Sequence, residues 1–212
     1  MAGSGQPTPR AVLEGETESK FASVREAQRL LHEGPGALAA LARDLADGLE
    51  GGANDVKVER YVRLLYATDA SIYEMEPVAV VFPRSASDVQ HVMGVAAERG
   101  VPVMPRGGGA GLSGQTVNHA IVMDFTTHMD RVISIDAEAR TARVQPGVVL
   151  SELSKAAREF GLQYPIDPST ANRATIGGGI SGKVGMPIAD PAAAVEPNAG
   201  NDPCGIVAIC CA

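Results

Sequence analysis

The sequence predicts an α+β fold: a β-α-β unit and a β-hairpin behind a helical N-terminal extension. Three observations predict it. Two helix-period stretches closing on glycine come first, short β-rich runs punctuated by Gly and Pro follow, and one amphipathic stretch lies between two of those runs. With 212 residues, 45% hydrophobic and 20% charged, the chain has the length and composition for one sizeable folded core. Its formal net charge of -7 excludes nucleic acid as the main partner, because a duplex binder needs a basic footprint. A nucleotide cofactor stays open, since backbone N–H groups can hold a phosphate without net positive charge.

Residues 1–18, rich in Gly, Pro, Thr and Glu, read as a disordered leader. A helical extension fills 19–60. It holds "SKFASVREAQRLLHEG" and "GALAALARDLADGLEGG", the second with Leu38, Leu41, Leu45 and Leu49 on one stripe. From Tyr61 the texture becomes β-rich. "VAVVF", Val78 to Phe82, is a strand; the helix after it opens with Ser87 three residues before Gln90, a capping box, and closes at Gly100. "VPVM" is the next strand, so this β-α-β order implies a parallel pair. "AIVMDF", Ala120 to Phe125, is another strand, and "RVISIDAEARTARVQPG" a hairpin turning near Ala137 to Ala139. A helix from about Leu150 to Phe160 ends at Gly161.

The last stretch, 186–212, is a Pro-, Ala- and Gly-rich tail that reads as unstructured, with "GIVAI" too short to span a bilayer. Its cysteines Cys204, Cys210 and Cys211 match no metal pattern and read as incidental thiols, so no metal site is expected. The start lacks a basic region followed by an apolar one, and a cytoplasmic location is expected.

The stretch "VPVMPRGGGAGLSGQT", Val101 to Thr116, fits more than one phosphate-binding template. Gly109, Gly111 and Gly114 spell GxGxxG, and Gly109 to Thr116 spell a Walker loop with Gln115 where the lysine belongs. Both templates require a helix directly after the loop, to aim its N-terminal amides at the phosphates. Here the β-rich "VNHAIVMDF" follows, and Gln115 carries no charge for a terminal phosphate. Asp130 and Asp136 bracket the acidic position of the dinucleotide fingerprint, but a lone GxGxxG without its helix is weak support for that reading. A plain linker is a poorer reading still, because ordering so many glycines between two strands sacrifices backbone entropy that a ligand can offset.

"PRGGGAGLSGQ" resembles the pyrophosphate loop of the PCMH-type FAD-binding domain shared by vanillyl-alcohol oxidase and p-cresol methylhydroxylase. The likeness is greatest to the D-lactate dehydrogenase and glycolate oxidase FAD-subunit branch. "YATDASIY" sits where that branch carries a similar signature, and "PSTANRATIGGGI", Pro168 to Ile180, resembles the domain's second flavin loop. The resemblance runs over roughly Tyr61 to Ile180. It implies an N-terminal β-α-β subdomain plus part of the second subdomain, an incomplete FAD-binding domain over 61–185.

The same resemblance implies the cofactor contacts. Pro105, Arg106, Gly107, Gly108, Gly109, Ala110, Gly111, Leu112, Ser113, Gly114 and Gln115 would wrap the pyrophosphate. Pro146, Gly147 and Val148, with Asp167, Pro168, Ser169, Thr170, Thr175, Ile176, Gly177, Gly178 and Gly179, would lie along the ribityl chain and isoalloxazine. Some members attach flavin through a His or Cys in or near the first loop; Ala110 and Gly111 stand there, so non-covalent FAD is expected, and His119 reads as a surface residue.

The implied reaction is oxidation of a small 2-hydroxy acid by hydride transfer to flavin. Electrons would pass to a quinone, cytochrome or other redox protein, which leaves room for association with the respiratory membrane through that partner. After Gly179 the resemblance stops. The catalytic histidine, metal ligands and substrate-binding arginine of the family belong beyond it, so no catalytic residue is assigned. Three explanations stand: a truncated or frame-shifted product, which is favoured; a subunit completed by a partner; or a flavin- or nucleotide-binding module without catalysis.

Overall fold

The computed structural model describes residues 22–181 and the strand 207–210. The expected leader, the first residues of the extension, and most of the tail with Cys204 and Cys211 lie outside the described residues.

Helices α1 (Ala22–Glu33) and α2 (Pro35–Ala46) meet at Gly34, whose φ of 83° permits the corner, with Pro35 opening α2 where a missing N–H costs nothing. Leu38, Leu41 and Leu45 are buried along α2, and Leu49 just beyond it, so the apolar stripe packs as expected. Helix α2 ends at Ala46, earlier than the glycine close at Gly51 and Gly52 suggests. A turn and a short 3₁₀ segment, Gly52–Asp55, lead into β1 (Val56–Lys57).

Where β-rich sequence is expected from Tyr61, the structure has helix α3 (Arg60–Leu65). Its pattern is inverted. Arg63 is buried, donating to the carbonyls of Val58 and Pro77 at 2.9 Å and pairing with Glu76 at 2.8 Å, while Tyr61 and Leu65 are exposed. An apolar-period reading has no purchase on such a helix.

Strand β2 (Ala79–Val81) and helix α4 (Ala86–Arg99) follow. The cap of α4 is Ser85 rather than Ser87, its hydroxyl accepting from the Asp88 N–H at 3.3 Å. The helix stops in a Schellman turn: Gly100 has φ 64°, and the N–H groups of Gly100 and Val101 reach back to Ala97 and Ala96. Strands β3 (Val103–Arg106) and β4 (Ile121–Asp124) complete a four-stranded sheet of order β1-β2-β4-β3. β2 and β3 are parallel, as the β-α-β order implies, but they are not neighbours. Strand β4 lies between them and pairs in parallel with both. Its residues Ile121 to Asp124 are all buried, which fits a strand with no free edge. Helices α1, α2 and α4 pack with this sheet in one apolar cluster, so the extension is part of the first core.

The hairpin is as expected, β5 (Val132–Asp136) against β6 (Thr141–Val144). Asp136 Oδ1 accepts from the N–H groups of Glu138 and Ala139 at 3.0 and 2.9 Å, and Arg140 takes φ 53°. Helix α5 (Leu150–Arg158) buries Leu150, Leu153 and Ala157 in a second apolar cluster with Ala142, Val144 and Leu162. Two departures follow. The glycine run after Thr175 is a short helix, α6 (Ile176–Ser181), and within the stretch read as an unstructured tail β7 (Val207–Cys210) pairs in parallel with β6. No helix among the described residues is long and apolar enough to cross a membrane.

Candidate functional site

The first glycine loop leaves the C-terminal end of β3, the end of parallel strands where ligands commonly sit, and crosses to the start of its parallel neighbour β4. Gly109 (φ 60°) and Gly114 (φ 74°) require left-handed backbone. Gly107 and Gly108 are glycines for another reason. A Cβ on Gly107 would stand 2.1 Å from Thr175 Oγ1, and one on Gly108 2.1 Å from the Arg173 carbonyl oxygen. The two glycine motifs are therefore in direct contact.

The second motif is held from below by the Pro146–Gly147–Val148 turn. Ile176 N–H donates to the Val148 carbonyl at 2.8 Å and Gly177 N–H to the Pro146 carbonyl at 2.9 Å. Gly147 is itself wedged into the turn after β4: its N–H donates to the Met129 carbonyl at 2.8 Å, and a Cβ there would lie 2.0 Å from the Phe125 carbonyl oxygen. Thr175, almost fully buried, caps α6 by accepting from Gly178 N–H at 3.2 Å, and Gly179 N–H donates to the Thr175 carbonyl at 2.8 Å. Pro168 and Thr170 carbonyls accept from Ala171, Arg173 and Ala174, making a compact turn that leaves Asp167 and Ser169 exposed.

Amide bookkeeping separates the two motifs. The N–H groups of Ile176, Gly177, Gly178 and Gly179 all donate within the protein. Those of Gly107 to Leu112 have no partner among the described residues. Partly exposed, several of them glycines with no side chain to shield them, these amides can converge on an anion. Ser113 N–H is taken by Gln115 Oε1 at 3.1 Å, so Gln115 braces the loop. Gly179 is helical, has ordinary φ, and nothing among the described residues lies within 4 Å of where its Cβ would be. No packing contact among the described residues accounts for it.

Sequence reasoning missed the groups that hold the first loop. Tyr66 OH donates to Asp124 Oδ2 at 2.6 Å, and Asp124 Oδ1 accepts from the N–H and hydroxyl of Thr126, each at 2.6 Å. Burial, and then the Asp124 bond, push the Tyr66 phenol well above its ordinary range. Asp69 accepts from Ser71 N–H at 2.8 Å and from Thr116 Oγ1 at 2.8 Å; burial pulls its carboxyl up, but these bonds prevail and hold it below the usual range. The "YATDASIY" stretch was the available signal. His119 Nδ1 lies 2.8 Å from the Glu76 carbonyl, so it is a partly buried bonded residue and not a free surface one. Among the described residues there is no cluster of three or more His, Cys, Asp or Glu able to hold a metal.

Residues 77–194 match the FAD binding domain family, so the match continues past Gly179, where the sequence reading ended it. The D-2-hydroxyglutarate dehydrogenase of Pantoea ananatis (strain AJ13355) is 41% identical over 135 residues, which cover 62% of this chain and 13% of that protein. Glycolate oxidase subunit GlcD of Bacillus subtilis (strain 168) is 39% identical over 122 residues, 56% of this chain and 26% of the relative. The chain thus spans a minor part of the curated relatives it matches. A solved alkyldihydroxyacetonephosphate synthase superposes with a TM-score of 0.59 over 68% of this chain and 29% of its own, at 23% identity, which shows a shared fold. The observed α+β architecture is the PCMH-type FAD-binding fold expected from the two glycine loops. FAD fits the residues present: the free, partly exposed amides of the first loop suit a pyrophosphate, and the second glycine motif packs against that loop at Gly107 and Gly108.

Proposed function

The chain belongs to the FAD binding domain family, and from that premise we propose that it is the flavin-binding part of an oxidoreductase acting on a small 2-hydroxy acid. When bound, FAD supplies a two-electron acceptor for the substrate's α-hydrogen. The chain's own share is to hold that cofactor. The Gly107–Leu112 amides donate to the pyrophosphate, and the motif from Asp167 to Gly179, with Pro146, Gly147 and Val148, forms the wall beside the remainder. Because the amides at 176–179 are already bonded, the glycine run of that wall contributes shape rather than donors. Attachment is non-covalent, since Ala110 and Gly111 offer no nucleophile.

The observation that carries the reading is the contact between the loops, Gly107 against Thr175 and Gly108 against Arg173, with free, partly exposed amides at Gly107 to Leu112. Support for a 2-hydroxy acid comes from two relatives named for 2-hydroxyglutarate and glycolate. The electron acceptor is a quinone, cytochrome or other redox protein. A second reading is a flavin-binding module without catalysis, since no catalytic residue is assigned among the described residues.

Titrating the purified chain with FAD tests both. Quenched flavin fluorescence, with all flavin released on acid precipitation, is the expected result. Reduction of the bound flavin by D-2-hydroxyglutarate, D-lactate or glycolate favours the enzyme, and binding without reduction favours the module. Absence of binding removes both.

A further inference from the structure

Arg106 opens the first loop, yet its guanidinium is committed to the protein. Nη1 donates to the carbonyls of Tyr66 (3.0 Å) and Thr116 (3.2 Å), and Nη2 to that of Thr68 (2.7 Å), with the guanidinium carbon 5.2 Å from the centre of the Tyr66 ring. Thr116 is the loop's exit and is held a second time, by Asp69 Oδ2, while the Gly109 carbonyl at mid-loop accepts from Ala70 N–H at 3.1 Å. One short segment, Tyr66 to Ala70, is therefore bonded to the start, the middle and the end of the loop. Tyr66 is in turn anchored on Asp124, the residue paired with Arg106 across the sheet.

We propose that Arg106 is a positioning residue that fixes the first loop in its open, amide-out shape before any cofactor arrives, and that it touches no cofactor atom. The inference rests on the proposed FAD reading of that loop. Turning the guanidinium toward a phosphate would strip hydrogen bonds from three carbonyls and remove the ring contact, which opposes a direct contact. Holding a glycine-rich loop in place matters because such a loop loses more freedom on ordering than any other sequence, and prior ordering strengthens binding without a new contact.

The test uses the full chain as wild type, Arg106→Gln and Arg106→Lys, with three readouts: FAD dissociation constant across a salt series, amide exchange without ligand, and thermal melting. For Arg106→Gln the FAD Kd should rise about tenfold, the scale of one lost net hydrogen bond, with an unchanged salt slope. Exchange should quicken at Ala70, Ser113 and Thr116, the bonded amides that hold the loop, and not in the α2–α4 core. Arg106→Lys, which keeps the charge but not the planar fork, should fall between the two. A flattened salt slope would instead mean a direct phosphate contact. A lysine variant equal to wild type would mean that charge alone suffices, and faster exchange everywhere with a lowered melting point would mean a general structural role; each overturns the proposal. An unchanged Kd in Arg106→Gln overturns it while the FAD reading stands. Failure of the wild-type chain to bind FAD removes the reading and this inference together.

Discussion

The two glycine motifs look alike in sequence and do opposite things with their backbone. In the first, Gly107 to Leu112 keep their amides free among the described residues, and the loop's shape is maintained from behind by Arg106, Asp69 and Gln115. In the second, the amides of residues 176–179 are spent on Val148, Pro146 and Thr175. A glycine run offers a ligand donors only where the protein has not already used them. The first glycine run is a donor surface; the second glycine run is a bonded wall packed against it.

The comparison breaks most visibly at the seam. Gly108→Ala would drive a methyl into the Arg173 carbonyl, a backbone atom that cannot rotate away. The expected cost is about 3 kcal/mol of unfolding free energy, read from denaturant melts, with loss of flavin binding. If stability is untouched, the loops are not in contact and the cradle is wrong. Thr175→Val keeps the bulk against Gly107 but removes the acceptor for Gly178 N–H. It should cost about 1 kcal/mol and leave the first loop's exchange unaltered. Acceleration at Ser113 and Thr116, the bonded amides of that loop, would show that the wall and the donor surface are not separable.

Acid should act on the first loop before the second. The carboxyl of Asp69 is held below its usual range, so its contribution is complete above the unfolded value, about 3.9, and is lost as pH falls through the folded value beneath it. Amide exchange at Ser71 and Thr116, whose N–H groups Asp69 accepts, should therefore quicken selectively on acidification below about pH 3.9, more than at 176–179. Equal loosening of both would contradict the Asp69 tether. The smallest stability effect is expected for Gly179→Ala, where nothing among the described residues meets the new methyl and alanine favours a helix. Stability should stay level or rise by up to about 1 kcal/mol, while FAD affinity drops. Retained affinity would mean that no ligand passes close to Gly179.

Legibility followed how local the determinant was. Helix α4 and the β5–β6 hairpin were readable because their stop signals, Gly100 and the Asp136 turn, act within a few residues. Helix α3 was not, because it buries Arg63 and exposes Leu65, an inversion that only Glu76, Val58 and Pro77 explain. Helix α6 was hidden by glycines of low helix propensity and is held by bonds to the Pro146–Val148 turn. The insertion of β4 between β2 and β3 likewise depends on pairing between segments far apart in the chain.

The succession from β2 through α4, β3, β4 and the β5–β6 hairpin to α5, and the presence of two glycine motifs with that hairpin and helix between them, were determined by the sequence alone. So was the absence of a helix after the first motif, which ruled out the dinucleotide and Walker readings. Only the tertiary structure decided which amides are available. A backbone donor is free or bonded according to which distant carbonyl folding carries to it: those of Pro146 and Val148 reach the second motif, and none among the described residues reaches the first from Gly107 to Leu112.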